Sequence, residues 1–376
     1  RHSLYLEWSR TTKGSGINQF TYDSEYLIPG IRTTAEASLL TEKALDFYGF
    51  NGYESYYNSS FEDDTHEDYI SRMFYRHERS LLRLRAEFQG SIIQNKLRWF
   101  AGFAHYGNTI DTVDIHSLNE GKDEEDLLPY VGGGLYGSYI KWGLIPEDQA
   151  KGGNTNLLKL GLIYDTRDNE PNPMTGIWTE MQFLLSPSFL GNGDLSYSRL
   201  VLTHRQYFTI LPKTMNLAYR LSYQGKLSGE MPFYMLPFVF NSAPNMTRDG
   251  LGGAKTIRGV LRNRVVGEDI VYGNIELRYK VIRTVVLKQN VYVALAGFLD
   301  GGLVTGKYEL SDPLPEYEEE ASQWLSKGDE ESLHTSFGAG LHIALNENFI
   351  VTADYGIAMD KRDGDNGLYI GMNFLF

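Results

Sequence analysis

Met215-Asn216-Leu217-Ala218-Tyr219-Arg220-Leu221-Ser222-Tyr223-Gln224 divides, residue by residue, into two faces. Met, Leu, Tyr, Leu and Tyr fall on one side; Asn, Ala, Arg, Ser and Gln fall on the other. A period of two marks an extended strand with unlike surroundings on its two faces. Leu82-Arg83-Leu84-Arg85-Ala86-Glu87-Phe88-Gln89 repeats the pattern, with two arginines, a glutamate and a glutamine sharing one face. Alternation alone does not say which face is dry. A soluble sandwich buries the apolar face, whereas a membrane barrel turns it to lipid.

Three features decide for lipid. Alternating segments run about 10–14 residues, near the length that spans a bilayer and longer than the strands of most soluble sheets. Short turns such as Pro29-Gly30, Leu211-Pro212-Lys213 and Asn346-Glu347-Asn348 alternate with long acidic connections near 46–69, 114–154, 227–267 and 305–332. That asymmetry is expected when one rim faces the periplasm and the other the exterior. Aromatics also sit near segment ends (Trp8, Trp99, Trp142, Trp178, Tyr355, Tyr369), where an interfacial girdle would lie.

Composition agrees with this class and removes others. The 376 residues carry 13% aromatics, with 26 Tyr, at a mean hydropathy of -0.34. No apolar run of about 18 residues offers a transmembrane helix. Cysteine is absent, which removes disulfides, thiolate metal sites and a cysteine nucleophile. A net charge of -13 argues against a nucleic-acid partner. The acidic runs 61–68 and 123–126 lack the spacing of a calcium loop and read as solvated. The histidines are scattered, so neither metal nor cofactor is expected. Fourteen strands are expected, at 3–11, 17–28, 31–44, 70–90, 96–113, 155–166, 176–188, 195–210, 214–228, 267–282, 289–304, 333–345, 348–358 and 366–376. A short helix is expected at Tyr136–Ala150. The whole chain, 1–376, reads as one barrel domain, with any secretory segment removed or lying upstream.

Gly252-Gly253-Ala254-Lys255-Thr256-Ile257-Arg258-Gly259-Val260 lies near the end of the long connection 227–267. One arginine among small residues suits a tightly folded backbone that pushes a guanidinium into a confined polar space. Downstream lie Asn274-Ile275-Glu276-Leu277 and Phe298-Leu299-Asp300-Gly301-Gly302. By parity, Glu276 shares a face with Asn274, Arg278 and Lys280, and Asp300 lies opposite the face of Val293, Leu295 and Leu299. Further motifs are Tyr164-Asp165-Thr166-Arg167-Asp168-Asn169 and the terminal Tyr369-Ile370-Gly371-Met372-Asn373-Phe374-Leu375-Phe376.

Together these four features resemble the BamA/TamA superfamily of outer-membrane assembly and translocation barrels, including its bacterial surface antigen branch. Ile257-Arg258-Gly259-Val260 resembles that family's (Val/Ile)-Arg-Gly-(Phe/Tyr) signature, with Val in place of the aromatic. The resemblance implies an all-β transmembrane antiparallel barrel of 16 strands, of which about 14 are recognisable here. It implies a long sixth extracellular loop folded into the lumen, locked by Arg258 against Glu276 and Asp300 on the twelfth and thirteenth strands, with Ile257 and Gly259 flanking. The Tyr164–Asn169 stretch would be a periplasmic hairpin, its geometry fixed by Asp165, Arg167 and Asp168. The terminus, with Tyr369, Gly371, Phe374 and Phe376, would be an assembly signal beside a weak first/last-strand seam, with Gly371 where a kink could reduce pairing; Phe376 reads as a lipid-facing residue, as part of that signal, or as both. No POTRA module is recognisable in the chain.

The function implied is non-enzymatic insertion or translocation of outer-membrane or surface proteins, or of lipids, in the bacterial outer membrane. Implied partners are outer-membrane lipids, unfolded client proteins and accessory outer-membrane or periplasmic subunits. The alternatives are a passive channel or structural subunit of a larger complex and, third, a barrel enzyme with a tight Ser/His or Asp/His cluster at one strand end.

Overall fold

The computed structural model describes residues 2–93, 96–242, 250–346 and 348–376. Fourteen antiparallel strands form a single sheet in which each pairs with its neighbour in chain order. They begin with β1 (His2–Arg10), β2 (Gly16–Ile28), β3 (Ile31–Asp46), β4 (Arg76–Ile93) and β5 (Leu97–Thr112). Next come β6 (Gly152–Asp165), β7 (Gly176–Ser186), β8 (Tyr197–Leu211), β9 (Met215–Gly229) and β10 (Asp269–Val286). β11 (Gln289–Gly306), β12 (His334–Leu345), β13 (Phe349–Ala358) and β14 (Asn366–Met372) complete the series.

Burial along the strands is inverted relative to a soluble domain. In β9 the polar face of Asn216, Arg220, Ser222 and Gln224 is buried, while Leu221 is 58% exposed. In β10, Asn274, Glu276, Arg278 and Lys280 are buried, and Ile275, Leu277 and Tyr279 are exposed. Water would penalise a continuous aliphatic exterior, but a bilayer does not. The sheet is therefore rolled with its charged face inward, as a membrane barrel.

Charges in the lumen survive desolvation because they are paired. On the early strands Arg83 and Arg85 both hold Glu36, Arg85 also reaches Glu87 at 3.2 Å, and Lys159 reaches Glu87 at 2.6 Å. This ladder ties β3, β4 and β6 from within.

The two rims differ as the sequence predicts. One carries tight turns at 29–30, 212–214 and 287–288; the other carries the connections 47–75, 113–151, 230–268 and 307–333. In the turn at 346–348, Glu347 lies outside the described residues. The long connections pack into one aromatic cap that includes Phe47, Phe50, Tyr139, Trp142, Phe233 and Tyr308. Short helices α1 (Ile115–Asn119), α2 (Gly134–Lys141) and α3 (Glu318–Leu325) stiffen it.

Several expectations are corrected. Strand β4 begins at Arg76 rather than residue 70, because Phe74 folds back in a turn on Ser71 and its ring joins the cap. The expected helix at 136–150 is α2, which stops at Lys141 ahead of Gly143, a left-handed residue with φ +80°. Trp142 lies in the cap, and Trp178 and Tyr369 point inward, so none of the three forms a girdle. Trp178 follows the parity of buried Glu180 and Gln182. Trp8 and Tyr355 are exposed on the outer face. The two further strands that the resemblance implies are not found among the described residues: 47–75 and 113–151 hold helical turns, not a hairpin.

Candidate functional site

The connection from β9 to β10 turns back into the lumen. Its returning arm is pinned by a bridge between Leu251 and Val265 and by the Thr256 hydroxyl, which accepts from the Gly252 N–H at 2.9 Å. Ile257 and Val260 are buried with Leu251, Val265, Tyr272 and Val304, an apolar anchor between loop and wall. Val260 thus fills with aliphatic bulk the position where the signature has an aromatic. The wall also reaches back: Asn274 donates to the Thr256 carbonyl at 2.6 Å, and Arg220 to the Lys255 carbonyl at 3.0 Å.

Gly259 lets this arm lie flat on β13. Its φ is +99°, and a Cβ there would stand 2.7 Å from the Ile357 nitrogen and 2.8 Å from the Gly356 carbonyl carbon. Its N–H donates to the Tyr369 hydroxyl of β14 at 2.9 Å. Gly259→Ala is therefore expected to destabilise the folded barrel by about 1–3 kcal/mol. The check is the temperature at which the compact gel band converts to the unfolded one.

Between these anchors Arg258, 1% exposed, meets three carboxylates. Its Nε and Nη2 donate to Asp300 at 2.8 and 3.1 Å, and its own backbone N–H reaches the same carboxylate at 3.1 Å. Nη1 bridges Glu276 at 2.9 Å and Asp354 at 3.1 Å. The guanidinium also lies 3.4 Å over the Phe298 ring. Burial alone would depress the Arg258 pKa, but Asp300, then Glu276 and Asp354, more than offset it and hold the group above its ordinary value. The sequence places Glu276 and Asp300 here; Asp354 it misses. The parity that selects Glu276 applies equally to Thr352 and Asp354 on β13, both of which are buried. Glu276 and Asp300 sit on the tenth and eleventh strands and the loop is the fifth on its rim. Each is offset from the resemblance, the strands by two and the loop by one.

The network continues to the last residues. Arg278 donates to Glu276 at 2.6 Å, stacks 3.9 Å from the Phe374 ring and donates to the Phe376 carbonyl at 3.2 Å. Phe376 lies among Tyr207 and Ala218 across the lumen. His342 joins Asp354 at 2.8 Å and packs edge-on against Phe374. Phe374 and Phe376 are thus lumenal, and the lipid-facing placement of Phe376 is corrected. Strand β14 spans only seven residues, and Gly371 within it pairs regularly with Thr352. The bend expected at Gly371 falls instead at Asn373, with φ +66°. Asparagine tolerates that conformation better than most residues.

Among the described residues β1 pairs only with β2, and β14 only with β13. Leu6 of β1 and Ile370 of β14 are exposed on the outer face beside these two ends of the sheet.

The 164–169 stretch ends β6 on the short-turn rim, with Tyr164 exposed on the outer face. Asp165 accepts a fork from Arg167 at 2.9 and 2.8 Å, and Asp168 accepts the Met174 and Thr175 N–H groups at 2.9 and 3.2 Å. On the opposite rim the structure gathers a cluster that no motif in the sequence announces. His334 meets Asp363 at 2.6 Å and Glu331 at 3.3 Å, under the stacked ring of Tyr53, whose hydroxyl donates to Asp363 at 2.7 Å. His334 and Asp363 are wholly buried. Arg264 crosses from the lumenal loop to the Gly52 carbonyl at 2.7 Å, so the cluster joins cap to loop.

No curated protein sequence matches the chain. Among solved structures it resembles BamA from Haemophilus ducreyi lacking POTRA domains 1–3, at 14% identity and a TM-score of 0.52, covering 99% of this chain and 63% of that one. It also resembles CdiB from Escherichia coli, at 12% identity and a TM-score of 0.51, covering 95% of this chain and 55% of that one. The chain therefore spans less than two thirds of either. Residues 10–376 match the Omp85 superfamily domain. The inside-out burial and the inward loop accord with that match: the chain belongs to the Omp85 superfamily and is an outer-membrane β-barrel.

Proposed function

We propose that this barrel is a non-enzymatic factor that helps insert or translocate other outer-membrane or surface proteins through the seam between β1 and β14. One observation carries the reading: the last strand, β14, spans only seven residues and among the described residues pairs with β13 alone. A client strand can add to such an edge by backbone hydrogen bonds, each worth a net ~0.5–1.5 kcal/mol. In β1 the exposed Leu4, Leu6 and Trp8 alternate along the outer face, so an amphipathic strand would find lipid on one side and lumen on the other. The Arg258 network serves as a loop lock that keeps the wall in shape while the seam opens. The hairpin bonds of Asp165, Arg167 and Asp168 fix the short-turn rim. Clients would be unfolded outer-membrane proteins, with lipids and accessory subunits as further partners.

A passive channel would keep its lumen clear, whereas here loop and cap fill it. An enzyme needs an accessible reacting group; among the described residues the Asp/His cluster at a strand end, His334–Asp363, is sealed, and the Ser24 hydroxyl that meets His2 at 2.9 Å is wholly buried. The test is reconstitution. Vesicles holding the full chain are expected to speed insertion of an unfolded outer-membrane barrel and to show no large, steady conductance. Steady porin-like conductance without faster insertion would overturn the proposal.

A further inference from the structure

A second polar centre lies at the short-turn mouth of the lumen, away from the Arg258 network. A cavity of about 60 Å³ is lined by Arg32, Arg98, Arg167 and Arg205, with Trp178 and Glu170. The four cations come from β3, β5, the β6–β7 turn and β8. They are drawn into one cluster: Arg98 and Arg167 share Asp165, Arg32 reaches Glu170 at 3.4 Å, and Arg167 donates to the Glu170 carbonyl at 3.2 Å. Arg205 stacks on the Trp178 ring at 4.3 Å, and Arg167 approaches the same ring at 5.9 Å.

The carboxylates do not use up these donors. Asp23 stands behind Arg32, engaging its Nε and Nη2 at 2.9 Å each. Asp165 takes both arms of Arg167 but a single long bond, 3.3 Å, from Arg98. Arg205 has no carboxylate within ion-pairing distance among the described residues. Glu180, on the neighbouring strand, accepts instead from the Ser242 N–H at 2.9 Å. The Nε groups of Arg98 and Arg205 are buried without a partner among the described residues. Glu170, 57% exposed, is the one carboxylate lining the cavity among the described residues and marks its open side. Buried guanidinium N–H groups left unbonded are costly, and here Arg98 of β5 and Arg205 of β8, which line one cavity, each leave one.

We propose that this cavity is a seat for a phosphate-type oxyanion, held chiefly by Arg98 and Arg205 with Arg32 and Arg167 behind them. A carboxylate offers two oxygens and saturates one fork. A phosphate offers three or four and can be shared by two arginines, and Arg98 and Arg205 each keep an unbonded Nε. The site lies on the rim of short turns, opposite the cap, so its ligand enters from the periplasmic side, as a free ion or as the headgroup of an anionic lipid.

The test uses the full chain in detergent micelles. Inorganic phosphate is titrated against chloride at equal ionic strength, with Trp fluorescence and the unfolding temperature as readouts. A saturable response is expected, weakened roughly tenfold or more in Arg205→Gln and in Arg98→Gln. Arg205→Lys is expected to fall between, since it keeps charge without the fork. A second arm replaces phosphate by dihexanoyl phosphatidic acid, with dihexanoyl phosphatidylcholine as control. Tighter binding of the acid supports a lipid headgroup; binding of phosphate alone supports the free ion. No saturable response beyond chloride in either arm overturns the proposal. So does an unchanged affinity in whichever variant keeps the compact gel band, Arg98→Gln serving if Arg205→Gln does not fold.

Discussion

Arg258→Ala is expected to lower the stability of the folded barrel by roughly 3–5 kcal/mol. Three carboxylates converge on this guanidinium, and they are not equally dependent on it. Glu276 retains Arg278 and Asp354 retains His342, but among the described residues Asp300 keeps only the backbone N–H of residue 258. The cost is therefore mainly that of leaving the Asp300 carboxylate buried and unpaired. Arg258→Lys should recover part of it, because an ammonium keeps the charge but cannot span Asp300 and Glu276 as a fork does. Combining Arg258→Ala with Asp300→Asn should also recover part, by removing the stranded charge. Barrels in detergent often unfold irreversibly, so the rate of loss of the compact gel band at fixed temperature is the suitable readout. An unchanged rate in Arg258→Ala would remove the network's claim to lock the loop.

Bridging β1 to β14 is expected to abolish client insertion while leaving the barrel folded. Seven residue pairs join β13 to β14, whereas β10 and β11 pair along 18-residue strands, so the seam side of the barrel is its weakest ladder. Cysteines at Leu6 and Ile370 would place both sulfurs on the exposed outer face, clear of the Tyr369–Gly259 contact and of the lumenal tail. The chain has no cysteine of its own, so the engineered pair is unique. Closing a disulfide requires the two Cα atoms within about 7 Å, so formation of the bridge also reports that the edges can meet. Once closed, no client strand can reach either edge.

The wall of the barrel was legible because a strand's two faces are written locally. The parity of Asn274, Glu276 and Arg278 needs no knowledge of any other strand. All fourteen strands were expected, most within a few residues of where they lie. The same rule would have found Asp354, had it been applied to β13. What parity cannot reach are contacts set by how the loops and the tail fold across the lumen. The aromatic rings of 47–75 read as strand or loop because their partners, such as Tyr139 and Phe233, come from other connections. The tail read as a continuing strand, since Phe374 and Phe376 keep the alternation. Only the positive φ at Asn373 and the Arg278 guanidinium, nearly a hundred residues away, turn it inward. His334 and Asp363 fall together for the same reason.

The most direct measurement of the central claim is the rate at which vesicles carrying the Leu6→Cys/Ile370→Cys chain insert an unfolded outer-membrane barrel, taken oxidised and then after reduction. The seam account predicts that the oxidised protein falls to the rate of empty vesicles and that reduction restores the rate of the unsubstituted chain. Equal rates in the two states, with the bridge confirmed by gel mobility, would contradict it.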